Sequence, residues 1–182
     1  MKTKKDTKKK LIDWKWITII SLIAFALSML FSFIGETIIP NAYVAISMII
    51  LLLFILLGIV FDIIGVAVTV ADISTFNSMA AKRVKGSELA VKFIKNANKV
   101  SSFCCDVIGD VCGVVSGSTG LSIALQIHNH SQIDLLILVV VITAIVSTLT
   151  IGGKAIGKSI AIDRCNSILH GFVRILSIVY KG

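Results

Sequence analysis

Asp106 and Asp110 stand four residues apart inside a largely apolar stretch, a spacing that projects both carboxylates from one face of a helix. Asp62 is a third acid set among apolar residues, with Ser and Thr hydroxyls in the surrounding sequence. Carboxylates and hydroxyls make an all-oxygen environment. That chemistry suits a hard divalent ion such as Mg2+, which prefers carboxylates and keeps much of its water shell. A charged Asp at the centre of a membrane helix costs about 2.5–3.5 kcal/mol on insertion scales. Such acids therefore require protonation, a water-filled cavity, a counter-ion or a bound cation. The metal-ligand candidates are Asp62, Asp106 and Asp110, with a polar packing network as the alternative use of the same side chains.

Other residues that carry chemistry give weaker signals. Cys104, Cys105, Cys112 and Cys165 have no metal-ligand spacing, and adjacent cysteines rarely bridge, so packing of reduced thiols is expected. His128-Asn129-His130 reads as a solvated external loop, not as a metal site. No nucleophile–base pair, phosphate-binding loop or metal-hydrolase spacing is present, so enzymatic activity is not expected.

The elements that must position these acids follow from composition. Of 182 residues, 56% are hydrophobic and 15% charged, against about 45–50% and about 25% in ordinary soluble domains. This excludes intrinsic disorder and points to an all-α integral membrane protein. About 20 apolar residues cross a hydrocarbon core of roughly 30 Å. Residues 16–39, 42–70, 101–127 and 135–152 meet or approach that test, the third carrying more polar residues than the others. Pro40-Asn41 leaves room only for a tight turn, so the first two spans are antiparallel neighbours.

Charge distribution supports four spans. The net charge is +8, from 18 Lys+Arg against 10 Asp+Glu. Basic residues gather in the N-terminus (1–15), in a connection (74–98) and after the last span. Short cytoplasmic loops collect Lys and Arg, so four spans put every basic residue on one side and both termini in the cytoplasm. This division leaves no Lys or Arg inside any span. The first apolar stretch is too long for a secretory signal and no cleavage site follows it. The lysine run lacks interleaved aromatic or Arg residues, which argues against nucleic acid and for the lipid bilayer as the charged partner.

Between and after the spans, helical patterning continues. Residues 74–98 form an amphipathic connection broken at Gly86, and the tail 159–182 puts Ile168, Leu169, Phe172, Ile175, Leu176 and Val179 on one stripe. Gly109, Gly113 and Gly117 recur every four residues on the Asp-bearing helix, a spacing that lets another helix approach closely.

In pattern and order of elements, residues 61–180 resemble the membrane domain of the CNNM and CorB/CorC family, associated with magnesium and cobalt transport. The likeness lies in Phe61 to Thr69, in the connection through Lys82, Gly86, Ala90 and Asn96-Ala97-Asn98-Lys99, in Ile108-Gly109-Asp110, and in Gly153-Lys154-Ala155-Ile156-Gly157-Lys158. Departures fall at Gly65 and Asp110, at Val114, and at Lys154 and Gly157, where the family carries Glu, Asn, Asn, Glu and Pro. The resemblance implies an ion site carried by Asp62 and Asp110, with Asp106 substituting for a lost Asn. It also implies a homodimer formed through the membrane domain. No tightly bound cofactor is expected, Mg2+ entering as the transported ion. The family's cytoplasmic CBS pair has no counterpart in these residues. A non-transporting scaffold or accessory subunit that keeps the fold is the alternative reading. A holin-like membrane protein is the third.

Overall fold

The computed structural model describes residues 14–38, 43–131 and 133–179. Among them every regular element is helical. In chain order these are α1 (Trp14–Ile38), α2 (Val44–Val70), α3 (Ile73–Ala81), α4 (Ser87–Lys95), α5 (Ala97–Ser101), a π-helical segment (Ser102–Gly109), α6 (Asp110–His130), α7 (Leu135–Asp163) and α8 (Cys165–Val179). The basic N-terminus and the Pro40-Asn41 turn lie outside the described residues.

Four stretches are long and apolar enough to cross a membrane: Trp14–Gly35, Val44–Val70, Ala97–His130 and Leu135–Asp163. The third joins α5, the π segment and α6 into one 34-residue rod, longer than the span expected from sequence. It is also the most buried of the four, whereas α1 lies almost wholly at the surface. This inverts the polarity order: the least apolar span is the central one, because its polar and small residues are shielded by α2 and α7. Large aliphatic and aromatic side chains cover the outer surface of α1, α2 and α7, as a lipid-facing bundle requires.

The last span departs most from expectation. Sequence reading ends it at about residue 152, where the apolar run gives way to Lys154 and Lys158. The helix continues to Asp163. Gly153 and Gly157 are contact points: a Cβ on Gly153 would collide with Ile59, and one on Gly157 would come within 2.8 Å of Ile63. Removing both side chains lets α7 lie against α2 over this stretch.

Two apolar clusters hold the molecule together. Leu51, Ile55, Ile123 and Val146 pack α2, α6 and α7 together in the half of the bundle where α2 begins. Val68, Ala71, Phe76, Ala90, Leu169 and Val173 knit the end of α2 to α3, α4 and α8. Asp72 starts α3 by accepting from the Ser74 N–H at 3.0 Å and from the Ser74 hydroxyl at 2.5 Å. Gly86, in the left-handed conformation at φ +85°, makes the turn into α4. On α8, Leu169 and Val173 are the buried pair while Ile175 is exposed, so the single expected stripe divides into an inner and an outer face.

Candidate functional site

Asp62 sits on the face of α2 that also carries Gly58 and Gly65. A Cβ on Gly58 would lie 3.1 Å from Cys112 Cβ and 3.3 Å from the Gly109 carbonyl oxygen. A Cβ on Gly65 would run into the Cys105 sulfur and come within 3.2 Å of Cys104 Cβ. These two glycines seat the π segment and the start of α6 directly on α2. Asp62 is enclosed between them, only 4% exposed.

Its surroundings are poor in donors. The Asp62 Oδ2 atom is buried and has no hydrogen-bond partner among the described residues. The Cys105 thiol lies beside the Asp62 carboxyl and donates to the Asp62 backbone carbonyl at 3.7 Å, while its sulfur is 3.8 Å from Ser101 Oγ. Leaving a buried polar group unsatisfied costs about 1–3 kcal/mol, and more when the group is charged. A carboxylate in this position requires a proton or a cation.

Asp106 faces another direction. It lines a hollow of about 370 Å3 between the π segment and α1, with Trp16, Ile20, Ser21 and Ala24 on the opposite wall. Cys105 stands between the acids, within electrostatic reach of both Asp62 and Asp106. Asp110 takes a third environment, bonded through Oδ1 to Lys154 Nζ at 3.1 Å. The shared environment expected of Asp106 and Asp110 is not found. The two acids meet different neighbours, α1 beside Asp106 and α7 beside Asp110.

Lys154 is the residue that sequence reasoning missed. It lies within α7, so the expectation of a bundle free of internal bases is corrected: one acid has its cation built in. The remaining signal was the spacing of Gly153 and Gly157, which marks helix packing as readily as a helix end. The series Gly109, Gly113 and Gly117 also divides. Gly109 lies 3.7 Å (as an added Cβ) from the Gly58 carbonyl oxygen, while a Cβ on Gly113 or Gly117 would meet nothing within 4 Å.

The polar residues deeper in α6 turn inward on the helix itself. Ser116 donates to the Cys112 carbonyl at 2.7 Å and Thr119 to the Val115 carbonyl at 2.8 Å. His128 and His130 belong to the last turn of α6, not to a loop; their Nδ1 atoms lie 2.8 Å from the Ile133 carbonyl and 3.0 Å from the Gln126 carbonyl. All four cysteines are free. Among the described residues, no three His, Cys, Asp or Glu side chains converge closely enough to hold a metal by themselves. Compared with protein-family models, curated proteins and solved structures, the chain has no significant match.

Proposed function

We propose that this chain is a multi-pass membrane protein, with both termini cytoplasmic, that binds and conducts a divalent cation of the Mg2+ type. One observation carries the reading: the buried carboxylate oxygen of Asp62 without a partner, in a gap between two close-packed helices. Mg2+ is usually held by one or two carboxylates and several retained waters, not by an all-protein cage. Asp62 supplies one such carboxylate and water the remaining ligands, with Asp106 acting through charge from its hollow beside α1. Asp110 is compensated by Lys154 and acts on the ion through charge, not as a ligand. The resemblance to the CNNM and CorB/CorC membrane domain points the same way, and a homodimer is the assembly it implies.

The test is Mg2+ flux into liposomes containing the full chain. Asp62→Asn is expected to abolish flux with helical content unchanged. Native flux in Asp62→Asn, with unaltered Mg2+ binding, overturns the assignment.

A second reading is favoured by the Lys154–Asp110 pair and the separation of the three acids: a membrane scaffold or accessory subunit that keeps the fold without transporting. Wild-type liposomes without flux or Mg2+ binding, together with a stably co-purifying membrane partner, are its expected signature.

A further inference from the structure

Where α3 turns into α4, Arg83, Lys85 and Lys92 line one hollow of about 730 Å3. None of the three forms an ion pair among the described residues. Glu88 is the carboxylate in the same wall, so three cations face one anion. The turn is held open by two left-handed residues, Arg83 at φ 55° and Gly86 at φ 85°. Ser177 of α8 closes the far side.

The course of α8 sets the depth of this hollow. Near its start, the Asn166 Oδ1 atom accepts from the Asp72 N–H at 3.2 Å, just past the end of α2. Towards its end, Leu176 shares a second, apolar hollow with Trp16 and Phe61. The helix therefore runs back along α2 towards the level at which α1 begins. Lys99 caps that level, its ammonium 4.9 Å from the Trp16 ring centroid, and a Trp beside a Lys is the pairing found where headgroups meet hydrocarbon. Ile175 and Ile178, on either side of Ser177, are 65% and 74% exposed. Unpaired cations beside outward aliphatic side chains at the depth of an interfacial Trp match the two halves of a lipid surface: phosphate and acyl chain.

We propose that this basic hollow binds the phosphate headgroup of an anionic phospholipid in the cytoplasmic leaflet. Ile175 and Ile178 enter the acyl region beside it. Arg83 presents a planar fork to the phosphate oxygens, while Lys85 and Lys92 supply point charges. A free phosphate ion would use the same cations but gain nothing from the aliphatic side chains, which is why the lipid is the occupant. The site rests on insertion of the four helices, not on cation conduction.

The experiment titrates the purified full chain in a neutral detergent with dioctanoyl phosphatidylglycerol, dioctanoyl phosphatidylcholine or inorganic phosphate, reading binding by native mass spectrometry. Saturable binding of phosphatidylglycerol is expected, with phosphatidylcholine and phosphate at least about tenfold weaker. A Lys or Arg near an anionic surface contributes severalfold in affinity, so Arg83→Gln/Lys85→Gln/Lys92→Gln should weaken the lipid by tenfold or more, at about that scale per pair of charges. Lys95→Gln/Lys158→Gln/Arg164→Gln removes the same charge from exposed positions outside the hollow and should bind as the native chain does. Equal binding of phosphatidylcholine, phosphate binding as tight as the lipid, or equal loss in both triple variants overturns the proposal. Lys85→Gln, a single exposed change, provides the same comparison at smaller amplitude if the triple variant fails to fold. Mg2+ flux in liposomes is a separate readout, so loss of either reading leaves the other standing.

Discussion

Lys154 Nζ in α7 lies 3.1 Å from Asp110 Oδ1 in α6, joining two of the four apolar helices by an ion pair in which the Lys side chain is 21% exposed and the Asp 68%. The stem of Lys154 is packed while its partner stands at the surface of the bundle. Each charge alone in an apolar setting costs about 2.5–3.5 kcal/mol on insertion scales, and a pair offsets most of that. Lys154→Met and Asp110→Asn should each destabilise the protein in detergent by roughly 2 kcal/mol, while the double variant should recover most of the loss. Thermal unfolding of the four proteins measures the coupling. Additive losses would show that the two charges do not depend on each other.

Glycine substitutions separate the packed face of the third span from its open one. Gly58→Ala places a methyl group 3.1 Å from Cys112 Cβ and 3.3 Å from a backbone oxygen that has little room to move. Overpacking of this kind costs about 1–3 kcal/mol. Gly113→Ala meets nothing within 4 Å, and gains up to about 1 kcal/mol of helix propensity. Opposite shifts in melting temperature are therefore expected from two Gly→Ala changes in one bundle. A loss of dimer at Gly113 with the fold intact would instead mark that face as the subunit contact.

The entry to α3 should resist acid down to low pH. Hydrogen bonds from the Ser74 hydroxyl, then the Ser74 backbone N–H and the Thr75 hydroxyl, hold the Asp72 carboxyl down at about 2, below its ordinary 3.8. A depressed folded-state value means that the contribution is complete above pH 3.8 and is lost as the pH falls through about 2. A carboxyl titration followed by NMR should place the Asp72 midpoint near the lower figure. In Asp72→Asn, the acid-dependent part of α3 stability should disappear over that window.

Thiol access reports both packing and sidedness. Cys104 and Cys112 are buried between α2 and the third span, whereas Cys165, at the start of α8, is half-buried at the edge of the cluster that joins α8 to the end of α2. A membrane-impermeant maleimide should modify Cys165 in inside-out vesicles and spare Cys104 and Cys112 until the protein is unfolded. Modification of Cys165 from the opposite face of the membrane would reverse the proposed orientation.

The acids illustrate how far the sequence could be followed. That Asp62, Asp106 and Asp110 each need compensation is legible from their apolar neighbours alone. How each is compensated is not. Asp110 obtains a cation from α7, Asp106 opens onto α1, and Asp62 is sealed under Gly58 and Gly65. These outcomes depend on which face of α6 meets which neighbour, and a π segment of eight residues shifts that phase with no signature in the residue types.

The existence of four apolar helices follows from the chain alone, because the free energy of placing a segment in lipid is a nearly additive sum over consecutive side chains. The amphipathic pieces flanking Gly86 follow for a similarly local reason, a periodic pattern interrupted by a residue that accepts positive φ. Helix ends and helix phases belong to the tertiary structure. Gly153 and Gly157 weaken a helix in an isolated segment, but against Ile59 and Ile63 they leave the room α7 needs beside α2. The helix continues because the surface it gains there outweighs the weak propensity of glycine. That continuation brings Lys154 to Asp110, and so converts one of three similar acids into half of an ion pair.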